Sequence, residues 1–196
     1  MENKDLQTQT GESAASPPEK KNGPIKKRGT VFDTKEFVIL AALIAIEIIL
    51  SRFLSITAWD TKYSLGFIAV MAAGMLYGPL AGGIVGALSD MIGAILFPVG
   101  PYFAGFTLTA LITGLIFGLF MHKKPHPVKL VIAVLINQFV LTLLVNTLWI
   151  SILYGSPFGP LLTTRVTQSL VMTAVQIVIG LIMMRVMPRL RREVTG

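Results

Sequence analysis

Residues 86–106 read GALSDMIGAILFPVGPYFAGF. An acid, Asp90, sits in an apolar, helix-forming run of the kind that is buried in a membrane. A loop follows at residues 97–103, FPVGPYF, with three aromatics, two prolines and a glycine. A carboxylate costs roughly 2.5–3.5 kcal/mol to place in a membrane helix, and such a group defaults to a functional role. An acid beside an aromatic loop packs a helical bundle poorly. It suits the binding of a flat, polar, hydrogen-bonding molecule. The rest of the chain then reads as the scaffold that presents this site.

Composition agrees with a membrane scaffold. Of 196 residues, 53% are hydrophobic and only 14% are charged, with a mean hydropathy of +0.71. A soluble domain carries about a quarter charged residues. There is no cysteine, so disulfides and thiolate-metal chemistry are excluded. The two histidines, His122 and His126, share one basic loop, which argues against a histidine metal site. The net charge is +7, and 14 of the 17 Lys and Arg fall in residues 4–35, 123–129 and 185–192. The positive-inside rule places those three segments on the cytoplasmic side. Topology explains the charge better than nucleic-acid binding does. The first thirty residues lack an apolar core, so no cleavable signal peptide is expected.

Residues 1–33 read as a disordered basic cytoplasmic tail, with Pro17-Pro18, Gly23-Pro24 and a Lys/Arg run. Residues 34–188 read as a six-helix membrane domain, and residues 189–196 as a short cytoplasmic tail. The first helix is expected over about 34–56, with Ala41-x-x-x-Ala45 as a face for close helix approach. Residues 57–65 are expected to be an external loop anchored by Trp59 and Tyr63. The second and third helices are expected over about 66–77 and 80–96, joined by a tight turn at Gly78-Pro79. Both are shorter than the ~20 residues of an ordinary span. Short glycine-rich paired segments often flank the binding site of a transporter. The fourth, fifth and sixth helices are expected over about 104–121, 128–153 and 161–187, with Pro188 ending the last. The fold class is all-α, a membrane protein with six transmembrane helices and both termini cytoplasmic.

Four ionisable residues fall within the helices: Glu47, Arg52, Asp90 and Arg165. The topology places all four in the outer half of the bilayer. Gln138, Thr142, Asn146 and Trp149 share a face of the fifth helix, and Arg165, Ser169, Met172 and Gln176 share one on the sixth. Together they predict an outward-facing cavity, mostly apolar with a few convergent polar groups. Each member also has a structural alternative. Asp90 pairs with Arg52 or Arg165, Arg165 snorkels to headgroups, and Trp149 joins an aromatic belt. A structural role is favoured for Glu47, which lies about 140° round the helix from Arg52 at 3.6 residues per turn. The sequence holds no P-loop, no H-E-x-x-H and no G-x-S-x-G, so a binding subunit is expected rather than an enzyme.

The segment SDMIGAILFPVGPYFAGFTLTALITGLIFGLF, residues 89–120, resembles the folate-specific substrate-binding (S) component of energy-coupling factor (ECF) transporters. GMLYGPLAGGIVGALSD, residues 74–90, is similar to the wider S-component pattern. LFPVGPYFAGFTLTA and the later NTLWISILYG carry the folate flavour. The resemblance implies a bacterial cytoplasmic-membrane protein that binds one vitamin from outside and delivers it inward. It implies a transmembrane coupling subunit and two cytoplasmic ATPases as partners, with the lipid bilayer around them and no nucleic acid. It implies no cofactor, and it assigns Ala41 and Ala45 to the coupling-subunit interface. For folate, Asp90 is the candidate acceptor for the pterin N–H pair, with Asn146 as a neutral helper. Phe97, Tyr102, Phe103, Phe106 and Trp149 are candidates to wall the p-aminobenzoyl ring. Arg165 is the first candidate for the glutamate tail and Arg52 the second. The alternatives are an S component for riboflavin or thiamine, a lipid-active membrane enzyme, and a structural membrane protein.

Overall fold

A computed structural model describes residues 33–195 apart from 59, 60, 99 and 124. The expected tail at residues 1–33, save Asp33, and the expected anchor Trp59 lie outside the described residues. Six helices form the molecule: α1 (Thr34–Arg52), α2 (Phe67–Tyr77), α3 (Pro79–Leu96), α4 (Ala104–Met121), α5 (Pro127–Tyr154) and α6 (Phe158–Thr195). The chain between α1 and α2 is not a plain loop. Ile56–Ala58 (β1) and Thr61–Tyr63 (β2) pair antiparallel, with Thr57 opposite Lys62. Among the described residues, four helices, α3 to α6, hold windows long and apolar enough to cross a membrane.

α2 is the central post. Residues 69–76 of this eleven-residue helix are all buried. A helix that is apolar all round belongs inside a bundle. Met71 and Met75 of α2 pack with Phe117 and Met121 of α4, Leu130 and Val134 of α5 and Met183 of α6. On its other side Val70 and Ala73 meet Leu40 of α1 and Ala81 and Val85 of α3. At the end of α2 the Gly78 backbone takes φ +95°, a left-handed value that glycine adopts without strain. Pro79 then starts α3 at a position where its missing N–H costs nothing.

The glycines of α3 are packing surface. A Cβ on Gly114 of α4 would overlap the Gly82 carbonyl, and one on Gly82 would lie 2.5 Å from the Gly114 oxygen. Gly74 faces Gly118 in the same way, with 2.9 Å between a built Cβ and the Gly118 nitrogen. Small residues let membrane helices approach to backbone contact. This contact fixes α3 against α4, and with them Asp90 against the 97–103 loop.

α5 departs from a plain helix. Residues Ile136–Val145 form a π-helix between two α-helical ends, and the Asn146 N–H donates to the Leu141 carbonyl five residues back. α6 runs past the expected stop at Pro188 to Thr195. The residues after the proline, Leu190, Arg191, Arg192 and Glu193, are strong helix formers, and they carry the helix on. The β1–β2 hairpin, the 97–103 loop and the α5–α6 turn lie at one end of the bundle; His122 and the α4–α5 loop lie at the other.

Candidate functional site

The cavity opens at the hairpin end and has two chambers. The outer chamber, about 500 Å³, is lined by Arg52, Asp90, Tyr102, Phe103, Phe106 and Asn146, with Glu47, Ser51, Ser64 and Tyr154 beside them. The inner chamber, about 310 Å³, is lined by Gln138, Thr142, Gln168, Met172 and Gln176, with Thr109 and Thr113 of α4. Glu47, Ser64, Asp90, Phe106 and Asn146 line both, so the two adjoin. Volumes of 300–1,000 Å³ are ordinary for sites that enclose a small organic ligand.

Asp90 stands where the chambers meet, half-buried on α3. Its Oδ2 accepts a 2.7 Å hydrogen bond from the Thr107 hydroxyl. That hydroxyl lies 3.1 Å from the Tyr102 hydroxyl. The acid is thereby tied through one threonine to the aromatic loop. Phe103 packs edge-on against Phe106, with centroids 5.9 Å apart, and tilts against Trp149 at 5.4 Å. The Trp149 indole donates to the Thr109 hydroxyl at 3.1 Å. Gly105 is required here, since a Cβ at that position would overlap the Phe103 ring and come within 2.8 Å of Trp149.

The nine residues expected to bind substrate divide into two groups. Arg52, Asp90, Tyr102, Phe103, Phe106 and Asn146 line the cavity. Trp149 backs the wall through Phe103 and Thr109. Phe97 is not among the residues lining either chamber and makes an edge contact with Phe53 at 5.1 Å. Arg165 is half-buried on α6 and is not among the residues lining these two chambers. Ala41 and Ala45, expected at a partner interface, are exposed on α1 with Ala42 and Ile46.

Glu47 is the residue for which the helical wheel misled. It lines both chambers, accepts from the Ser51 hydroxyl at 3.4 Å, and packs so close to Gly66 that a Cβ there would sit 2.6 Å from its Oε1. Arg52 shares the outer chamber despite the 140° offset. Its stem is long, and its guanidinium lies over Gly93 of α3, where a Cβ would be 3.0 Å from Nε. Wheel angles describe where Cβ atoms point, not how far an arginine reaches. Thr107 was also missed; its spacing four residues before Leu111 looks like any helical threonine. On α6 it is Gln168, rather than the buried Ser169, that joins Met172 and Gln176 at the chamber wall. Among the described residues no group of three or more His, Asp or Glu is placed to hold a metal ion.

Residues 31–189 match the sequence family described as "ECF-type riboflavin transporter, S component". The chain belongs to the ECF-type transporter S components. Among relatives of this S component is "Folate transporter FolT" of Clostridium novyi (strain NT), 40% identical over 143 residues, 72% of this chain and 83% of that protein. "Folate transporter FolT" of Leuconostoc mesenteroides subsp. mesenteroides is 32% identical over 152 residues, 74% of this chain and 82% of that one. A crystal structure of FolT bound with folic acid superposes with a TM-score of 0.68 at 32% identity, over 75% of this chain and 89% of that one. The six-helix S-component architecture expected from the 74–120 segment is the one observed.

Proposed function

We propose that this S component binds folate in the two-chamber cavity and hands it inward in complex with a coupling subunit and two ATPases. The observation that supports it most is the pattern of charge among the described lining residues: a carboxylate at the junction, amides deeper in, and a guanidinium in the outer chamber. Folate has matching parts. Its pterin edge donates paired N–H groups to a carboxylate such as Asp90. Its benzoyl ring suits the walls made by Tyr102, Phe103 and Phe106, with Trp149 behind. Its glutamate tail is anionic and pairs with Arg52, the one basic residue among the described residues lining the outer chamber. Arg165, the first candidate from sequence, then acts from outside the two chambers or not at all. The relatives named for folate transport point the same way.

The orientation follows from charge. The basic segments 4–35, 123–129 and 185–192 belong inside, so the cavity mouth faces out of a bacterial cytoplasmic membrane. Residues 1–33 and 189–196 are then cytoplasmic tails flanking the 34–188 membrane domain. ATP hydrolysis falls to the partner chains, and the exposed Ala41/Ala45 face of α1 takes the coupling subunit.

One observation favours a second ligand: the matching family carries riboflavin in its description. Riboflavin is uncharged at pH 7 and gives Arg52 nothing to pair with. A thermal-shift comparison tests the two. A ligand at one hundred times its Kd stabilises the folded state by about 2.7 kcal/mol. Folate is expected to raise the melting temperature of the purified protein and riboflavin to leave it unchanged. The opposite ranking overturns the folate assignment.

A further inference from the structure

Glu47 and Asp90 line both chambers from α1 and α3, so two carboxyl groups face one cavity. Among the described residues, the other titratable groups lining it are Arg52, Tyr102 and Tyr154, all in the outer chamber. The described lining residues of α2, α4 and α6 add none. The two acids are held differently. Asp90 accepts from the Thr107 hydroxyl at 2.7 Å, and the Tyr102 hydroxyl stands 3.1 Å behind, placed to donate to Thr107 in turn. Such a run of O–H donors ends naturally on a carboxylate, which only accepts.

Glu47 is supplied more thinly. The Ser51 hydroxyl lies 3.4 Å from its Oε2, but the single O–H of that serine also lies 3.3 Å from the Ile48 carbonyl. The Gly66 backbone packs against Oε1, yet its N–H donates to the Ser64 hydroxyl at 3.1 Å. The Ser89 hydroxyl donates within its own helix, to the Val85 carbonyl. With both acids ionised, the described lining carries two negative charges against the one positive charge of Arg52. An anionic ligand adds to that excess. Partly buried charges are screened far less than exposed ones. Like charges gathered at one site disfavour the ionised form of an acid among them.

We propose that ligand binding here is proton-linked: one proton from solvent is taken up with the anionic ligand and held on the Glu47 carboxyl, beside an ionised Asp90. Protonated Glu47 then offers the cavity an O–H donor in place of a third unbalanced charge. The proposal rests on the folate reading above, in which the ligand's own carboxylates bring the added negative charge. The sign follows from linkage. A ligand that binds together with a proton binds more weakly as pH rises, by up to about tenfold per pH unit for one proton.

Folate is titrated calorimetrically into the purified wild-type protein and into Glu47→Gln, in buffers of different ionisation enthalpy, across about pH 5 to 8. The wild-type protein is expected to take up a proton with folate, approaching one per ligand as pH rises, and to lose affinity toward the upper end of that range. Glu47→Gln keeps the shape and has nothing to titrate. It is expected to take up no proton, to give a flatter profile and to bind folate more tightly than wild type at about pH 8. The ligand's own titration is common to both proteins and cancels in the comparison. Wild-type folate binding without proton uptake overturns the proposal, and that result needs no variant to fold. Uptake that persists in folded Glu47→Gln, or loss of folate binding in it, overturns the assignment to Glu47. A folded wild-type protein that binds no folate at any of these pH values overturns the folate reading, and the proposal with it.

Discussion

On the proposed function, Asp90 is the side chain whose charge the site depends on most. Asp90→Asn keeps its size and its hydrogen bond from Thr107 but loses the charge that accepts a paired N–H edge. Hydrogen bonds to a charged group contribute about 1.5–3 kcal/mol, so folate affinity should fall on the order of 10- to 100-fold by titration calorimetry. Thr107→Val removes the 2.7 Å bond that aims the carboxylate. It should weaken binding a few-fold, in line with about 1 kcal/mol for a neutral partner. Unchanged affinity in Asp90→Asn removes the acid from the pterin contact. At this scale the sequence was legible where a residue is costly. An acid in an apolar helix and a cluster of loop aromatics stand out, and Asp90, Tyr102, Phe103 and Phe106, picked out that way, line the cavity. Glu47 and Thr107 were not picked out. One was set aside by a wheel angle that ignores the reach of Arg52, and the other looks like any helical threonine. Arg165 lies on α6 and is not among the described residues that line the two chambers.

Between elements, the α3–α4 contact decides whether the site exists. Gly114→Leu would drive a side chain into the Gly82 backbone, where neither helix can yield without moving Asp90. Overpacking costs about 1–3 kcal/mol even where side chains can adjust, so a clear drop in melting temperature and loss of folate binding are expected together. Gly155 and Gly159 give the control. Neither has an atom near a built Cβ, but Gly155 has φ +64°. Gly155→Ala should cost about 1–2 kcal/mol for its left-handed backbone. Gly159→Ala, in the first turn of α6, should be neutral or slightly stabilising. Equal melting temperatures for the two variants would contradict the backbone argument. Helix positions were legible because long apolar runs end at Gly-Pro, Pro-rich and basic punctuation. The π stretch was not, since an i to i−5 ladder leaves no mark on hydrophobic periodicity. Nor was the extension of α6, where helix-forming residues outweigh Pro188. The hairpin was hidden because three-residue strands carry too little pattern to recognise.

On the proposed function, the whole molecule separates a binding end from a docking face. The cavity opens beside the hairpin and the 97–103 loop, whereas Ala41, Ala42, Ala45 and Ile46 lie exposed on α1. Ala41→Leu combined with Ala45→Leu should leave folate affinity of the isolated chain within about twofold, as expected of surface changes far from the site. The same pair should abolish folate uptake in vesicles that also hold the coupling subunit and ATPases. Loss of binding in the isolated variant would contradict that separation. The central claim is that the chain binds folate by itself. It is tested most directly by titrating folate into the purified protein in detergent and following tryptophan fluorescence, because Trp149 lies against Phe103 in the cavity wall. The account predicts saturable quenching at one folate per chain, lost in Trp149→Phe and not reversed by excess riboflavin or thiamine. A folded protein that shows no saturable folate binding, or one from which riboflavin displaces folate, would contradict it.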